Sequence, residues 1–416
     1  MPPLAAPGGN GRGRNASNGD PPHKKEVTMK EHRFPESVFV PDGIHVDFVC
    51  GVRIGVPPRT PTFRYKLSDA DTGEVYDYGE TCGEEDAEFY IFTQRKYFVR
   101  WKVEFYRGGK WYFQHTFDAT GRRVMIDFSP GALGDSAAWL PAAIAFTEKW
   151  KCQTIVCMRP EHVPLYQNAY PEIIFIPNHP LKVDIADRCY ATYSVAVHGY
   201  GNKDRERMDF RENNLIRHAD MILGVDSRME PPLVVREDEP KVQLPAFMAT
   251  TPRYVCIATR ASRKCKEWNH DGGWENVVAA LKERGFKTVC IDADNRNLPA
   301  GAIDNTGKLP LPSRIDVLKG SAFFIGLPSG LAWLAWACRK PVVMISGFTD
   351  AYVEFATPYR VSPPSGVCHG CWRTGDQRQK ARFDECYFGK DNECTRSITP
   401  EMVIAKIDQL IQQEAL

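Results

Sequence analysis

The chain has 416 residues, 43% hydrophobic and 25% charged, which is room for two or three domains with the balance of an ordinary globular protein. Its 53 basic and 52 acidic side chains leave a formal net charge of +1, so there is no electrostatic case for a nucleic-acid partner or an anionic membrane surface. No apolar run approaches the roughly 20 residues of a spanning helix, and residues 1–30 lack the apolar stretch of a signal peptide.

Residues 1–33, rich in Gly, Pro, Asn and Lys, read as a disordered tail. Residues 36–121 read as an antiparallel β-domain, a small sheet or barrel. Lys96–Tyr106 and Lys110–Phe117 alternate apolar and polar residues around Gly108-Gly109, a hairpin signal. Shorter strands are expected at Ile44–Val49, Thr62–Leu67, Val75–Gly79 and Glu88–Phe92. From Arg123 the pattern changes. Val124–Phe128 reads as a strand, Ser129–Asp135 as a Gly-bearing loop and Ala137–Lys149 as a helix, with further strands at Thr154–Met158, Ile173–Ile176 and Tyr193–Val197. A second alternating series starts with a strand at Tyr254–Ala258 and a helix at Trp274–Arg284. It continues through a strand at Thr288–Ile291, a helix at Ile315–Lys319, a strand at Ala322–Ile325, a helix at Leu331–Ala337 and a strand at Pro341–Ile345. An amphipathic helix closes the chain over Thr399–Leu416. The fold class is α/β, with two Rossmann-like halves at 122–248 and 249–360 facing a cleft, a cysteine-bearing segment at 361–397 and a last helix at 398–416. Ligands of such sheets bind beyond the carboxyl ends of strands, so the cleft is the default site.

Four loops could carry chemistry there. Gly131-Ala-Leu-Gly134-Asp135 lacks the third glycine of a dinucleotide fingerprint. Asp135 suits either an N-cap or a general base toward a hydroxyl. Gly326-Leu-Pro-Ser329-Gly330-Leu331 precedes a helix whose first N–H groups suit a phosphate, although an ordinary strand–helix turn has the same residues. Arg263-Lys-Cys-Lys266-Glu-Trp268 pairs cations with an aromatic, as a diphosphate and a base or sugar face require, or is a solvated charge run. Thr306-Gly307-Lys308 could add a hydroxyl and backbone N–H groups.

Of 13 cysteines, nine are scattered, mostly in apolar segments such as those around Cys256, Cys290 and Cys338. They read as buried thiols in a reducing compartment. The other four, Cys368, Cys371, Cys386 and Cys394, have the spacing of a tetrahedral S4 metal site. Two disulfides or four unrelated thiols are the alternatives. Iron and zinc both suit the donor set. His369 between the first two is an alternative ligand.

These motifs resemble the bacterial autotransporter heptosyltransferases, relatives of the lipopolysaccharide-core heptosyltransferases. The likeness rests on Gly131–Asp135, Cys265-Lys266-Glu-Trp268-Asn269, Thr306–Leu311, Phe324–Ala337, Pro341–Phe348 and the cysteine array. The resemblance implies a GT-B fold, an N-terminal β-domain, an iron finger holding one ion on Cys368, Cys371, Cys386 and Cys394, and a large homo-oligomer in the bacterial cytoplasm. It implies ADP-heptose as donor and serines of an autotransporter passenger domain as acceptor. It makes Asp135 the base and Lys266 the group that stabilises the leaving diphosphate. Gly134, Thr259, Trp268, Thr306, Gly307, Ser329, Gly330 and Leu331 become the substrate-binding positions. The basic insert with Arg373, Arg378, Lys380 and Arg382 departs from the family pattern. A non-catalytic iron-binding scaffold for an autotransporter, or a lipopolysaccharide-core enzyme, are the competing readings.

Overall fold

The computed structural model describes residues 36–197, 202–234, 245–250, 253–373, 386 and 388–416. The tail read at 1–33 and the basic residues Arg378, Lys380 and Arg382 lie outside them. The first strands are β1 (Val38–Phe39), β2 (His45–Val49), β3 (Arg53–Val56), β4 (Phe63–Asp69), β5 (Val75–Thr81), β6 (Phe89–Phe92), β7 (Trp101–Arg107) and β8 (Lys110–Thr116). Next come β9 (Arg123–Asp127), α1 (Leu133–Trp150), β10 (Gln153–Met158), α2 (Val163–Tyr166), β11 (Ile173–Pro177), α3 (Lys182–Ala186), β12 (Ala191–Ser194), α4 (Leu215–Leu223) and α5 (Phe247–Thr250). The second half holds β13 (Tyr254–Ile257), α6 (Gly273–Glu283), β14 (Lys287–Cys290), β15 (Ile303–Asp304), α7 (Leu311–Gly320), β16 (Phe324–Gly326), α8 (Gly330–Ala337), β17 (Val342–Ile345), β18 (Arg360–Val361), α9 (Glu393–Arg396) and α10 (Pro400–Gln413).

The second half is a parallel sheet in the order β15-β14-β13-β16-β17-β18. This is the doubly-wound order, with its switch point between β13 and β16. The first half starts the same way, β11-β10-β9-β12, with its switch point between β9 and β12. The loops after β9, β13 and β16 therefore leave the sheets where ligands of such folds sit.

The N-terminal strands do not form one free-standing sheet or barrel. β4, β5, β7 and β8 make a four-stranded antiparallel sheet. β1, β2, β3 and β6 instead extend the first Rossmann-like sheet, because β2 pairs parallel to β12 through Ala191 and Phe48. Every residue of β2 is buried, as a strand covered on both faces requires. β2 fills the place of a fifth parallel strand that the first half does not make from its own described residues.

α1 starts four residues before the expected Ala137. Its buried face includes Ala137, Ala138, Leu140, Ala142 and Phe146, all 0% exposed. Such a helix must lie between layers, here between the first sheet and α8. α4 was not anticipated, although its signals are local. Asn214 accepts the Ile216 N–H at 2.8 Å, and Gly224 ends the helix at φ 63°. The same Asn214 donates through Nδ2 to the carbonyls of Tyr352 and Glu354 at 2.9 and 2.8 Å, which ties the first half to the second.

Candidate active site and metal finger

The two halves meet at a pair of glycines. A Cβ on Gly134 would stand 2.7 Å from Trp333 Cδ1, and one on Gly330 would stand 3.0 Å from Leu133 Cβ and 3.3 Å from the Gly134 nitrogen. The first turns of α1 and α8 can only abut because neither residue has a side chain. Gly134→Ala is expected to force the halves apart at a cost of about 1–3 kcal/mol. A thermal melt should show it as a lowered transition.

Beside this contact lies a cavity of about 330 Å³, lined by Asp135 and Gly134 from the first half and by Ser262, Lys266, Ser329 and Gly330 from the second. Asp135 is not an N-cap. It is the third residue of α1, and its Oδ2 accepts the Ala132 N–H at 2.7 Å. This is half of a capping box, since Ala132 has no side-chain acceptor to reciprocate. Asp135 is half-buried and lines the cavity. Burial holds its pKa above the usual 3.8, against the lowering pull of the Ala132 N–H and of the Lys266 and Arg159 charges.

Lys266 ends a short 3-10 turn and lies over the Phe348 ring, with Nζ 5.6 Å from the centroid. Ser329 is the N-cap position of α8; its Oγ is enclosed and without a hydrogen-bond partner among the described residues. A hydroxyl, the α8 N–H groups and an ammonium thus line the same cavity, a set of groups suited to an anion.

The other candidate residues lie off this cavity. Thr259 is 1% exposed and committed to Asp292 through both N–H and hydroxyl at 2.8 Å. Trp268 is buried against Trp274 and donates to the Ile398 carbonyl at 2.8 Å, so it packs the C-terminal segment. Thr306 donates through Oγ1 to Asp304 at 2.6 Å. Gly307 sits at φ 114°, with open space where a Cβ would be. Leu331 is half-buried one residue into α8. Sequence reasoning missed Arg314, a buried guanidinium on α7 that donates to the carbonyls of Ile291, Asp292 and Gly307 and sews the 291–307 loops together. It also missed Thr349, Glu354 and Trp372, which line the cavity. Glu354 is 4% exposed, pairs with Arg360 at 3.0 Å, and is held above the usual carboxylate pKa by burial despite Arg360 and Lys266.

No disulfide joins any of the thirteen cysteines. Cys368, Cys371, Cys386 and Cys394 are close enough to feel one another's charge. Burial first, then Cys394, Cys368 and Cys386, push the Cys371 thiol up to about 12. The Lys390 N–H donates to Cys386 Sγ at 3.2 Å. Among the described residues, however, no group of three or more His, Cys, Asp or Glu stands at metal-binding geometry. The array is anchored to the cleft: Gly370 N–H donates to the Gly347 carbonyl at 3.0 Å and Trp372 N–H to the Phe348 carbonyl at 3.1 Å.

Residues 211–364 match the model of glycosyltransferase family 9 (heptosyltransferase). The chain is 37% identical over 390 residues to the autotransporter heptosyltransferase TibC of Escherichia coli O78:H11, covering 89% of this chain and 90% of TibC. The chain belongs to the autotransporter heptosyltransferase family. It is a glycosyltransferase. It is also 36% identical to the family member BAHTCr of Citrobacter rodentium over 89% of this chain and 90% of that protein. BimC of Burkholderia thailandensis, named an inactive autotransporter heptosyltransferase, is 30% identical over 87% of this chain and 84% of its own length. The crystal structure of TibC, described as dodecameric, iron-containing and in complex with ADP-D-β-D-heptose, superposes with a TM-score of 0.80 at 34% identity, covering 92% of this chain and all of TibC. No described helix of this family member is long and apolar enough to cross a membrane.

Proposed function

We propose that the chain is a protein O-heptosyltransferase that moves heptose from ADP-heptose to serine hydroxyls of an autotransporter, with inversion at the anomeric carbon. The observation that carries this reading is the single cavity in which Asp135 faces Lys266 and the Ser329–Gly330 helix start across the two halves. A serine hydroxyl is a poor nucleophile, so a carboxylate accepts its proton as the new C–O bond forms and the bond to the diphosphate breaks. One displacement inverts the centre and needs only one carboxylate. Lys266, the Ser329 hydroxyl and the α8 N–H groups would take up the charge that builds on ADP. Thr306, Gly307 and Leu331 would line the nucleotide side, which Thr259 and Trp268 hold in shape. The division of labour is acceptor binding by 122–248, nucleotide-sugar binding by 249–360 and metal binding by 361–397.

The test is mass spectrometry of an autotransporter passenger domain co-expressed with wild type or Asp135→Ala in cells that make ADP-heptose. Heptose-sized increments on serine peptides with wild type alone are expected. The kinship with BimC favours a second reading, a non-catalytic scaffold. No increments from wild type, with the two proteins still co-purifying, would establish that one instead.

The donor chemistry of Cys368, Cys371, Cys386 and Cys394 fits one iron ion. The Cys371 and Cys394 thiols, raised first by burial and then by the other cysteines of the array, would be relieved by a central cation, which would also cross-link a segment otherwise short of apolar residues. We expect about one iron per chain by elemental analysis, and a loss of most of it in Cys371→Ser. Zinc in that position would revise the metal but not the ligand set. Thirteen cysteines with no disulfide among them and the dodecameric TibC support a large homo-oligomer in the bacterial cytoplasm.

A further inference from the structure

We propose that Trp372 and Glu354 form the subsite that holds the hydroxyls of the donor's sugar, so that the cysteine finger supplies one wall of the active cleft. This rests on the nucleotide-sugar reading above. Trp372 is the residue after Cys371, and it lines the same cavity as Asp135 and Lys266. Its position is set from three sides. Its backbone N–H is bonded to Phe348, and its ring stands edge-on to Phe210 at 5.3 Å and to Phe348 at 6.2 Å. Its indole Nε1–H is enclosed and has no acceptor among the described residues. An enclosed donor without a partner is costly unless a ligand oxygen takes it.

Charge decides which part of the donor that is. The diphosphate is anionic and belongs with Lys266, Ser329 and the start of α8. Glu354, within reach of the Lys266 charge, carries a carboxylate, which repels phosphate but accepts hydrogen bonds from hydroxyls. Arg360 Nη1 holds Glu354 Oε2 at 3.0 Å, fixing the carboxylate and offsetting its burial. An indole, a carboxylate and the apolar side chains of Val353 and Leu215, all lining the cavity, offer a donor, an acceptor and C–H surface. A neutral polyol with C–H faces needs all three.

Titration calorimetry of the full-length protein with ADP and with ADP-heptose, in the absence of acceptor, tests this. Trp372→Phe keeps the packing and removes the N–H, and Glu354→Gln keeps the shape and removes the charge. Each is expected to weaken ADP-heptose about tenfold, and Trp372→Ala more, with ADP affinity within about twofold of wild type. The unchanged ADP affinity reports an intact fold. Parallel loss of both ligands, or unchanged ADP-heptose affinity in either conservative variant, overturns the subsite. Wild-type protein that binds ADP-heptose no more tightly than ADP overturns the donor reading itself, and the subsite with it.

Discussion

Asp135→Asn is expected to lower turnover by about 10²–10⁴-fold, the range of a lost general base, while melting no lower than wild type. The two effects have one cause. Burial raises the folded-state pKa of Asp135 above its ordinary 3.8. Between the unfolded and folded pKa values the native state binds the extra proton, so stability falls as pH rises through that window and stays reduced above it. At neutral pH the protein therefore carries an unfavourable charge, as the role of base proposed for Asp135 requires. Asparagine removes that charge and can still accept the Ala132 N–H. In wild type the acid limb of the kcat profile should lie above the ordinary carboxylate range, because the base works only when ionised. A melt of Asp135→Asn well below wild type would make the carboxylate a structural cap first and a base second.

Lys266→Ala should cost about 10²–10³-fold in turnover, the scale of one lost donor to a developing charge. A second consequence distinguishes it from simple misfolding. The Lys266 charge pulls the pKa of Asp135 down, so its removal should shift the acid limb of the pH profile further upward. Lys266→Arg should keep that limb near its wild-type position even if turnover falls, since the charge remains but the shape differs. An acid limb that does not move in Lys266→Ala would mean that the two groups are not electrostatically coupled across the cleft.

Much of this was legible locally. The alternation of β8 with β7 around Gly108-Gly109 appears in the register of Lys110 against Arg107. The two α/β series were readable because buried parallel strands are short apolar runs between glycines and helices. Asp135, Lys266 and Ser329-Gly330 could be named as candidates because each follows a strand in its loop. The boundary of α1 was misplaced because Gly131-Ala-Leu-Gly134 reads as a loop by composition. Leu133 and Gly134 are nevertheless helical, since the Asp135 side chain holds the Ala132 N–H and Gly134 is buried against Trp333.

By itself, then, the sequence determined most element types, the candidate loops, the S4 spacing and the family. These depend on periodicity, turn chemistry and motif, all of which act over a few residues. Only the tertiary structure decided that β2 completes the first Rossmann-like sheet, that Thr259 and Trp268 turn away from the cavity, and that Trp372 and Glu354 turn into it. The reason is physical. Pairing β2 with β12, closing Gly134 on Gly330 and docking Gly370–Trp372 on Gly347–Phe348 are contacts between segments far apart in the chain. They are chosen by which apolar faces and unpaired backbone groups the whole fold leaves to be covered.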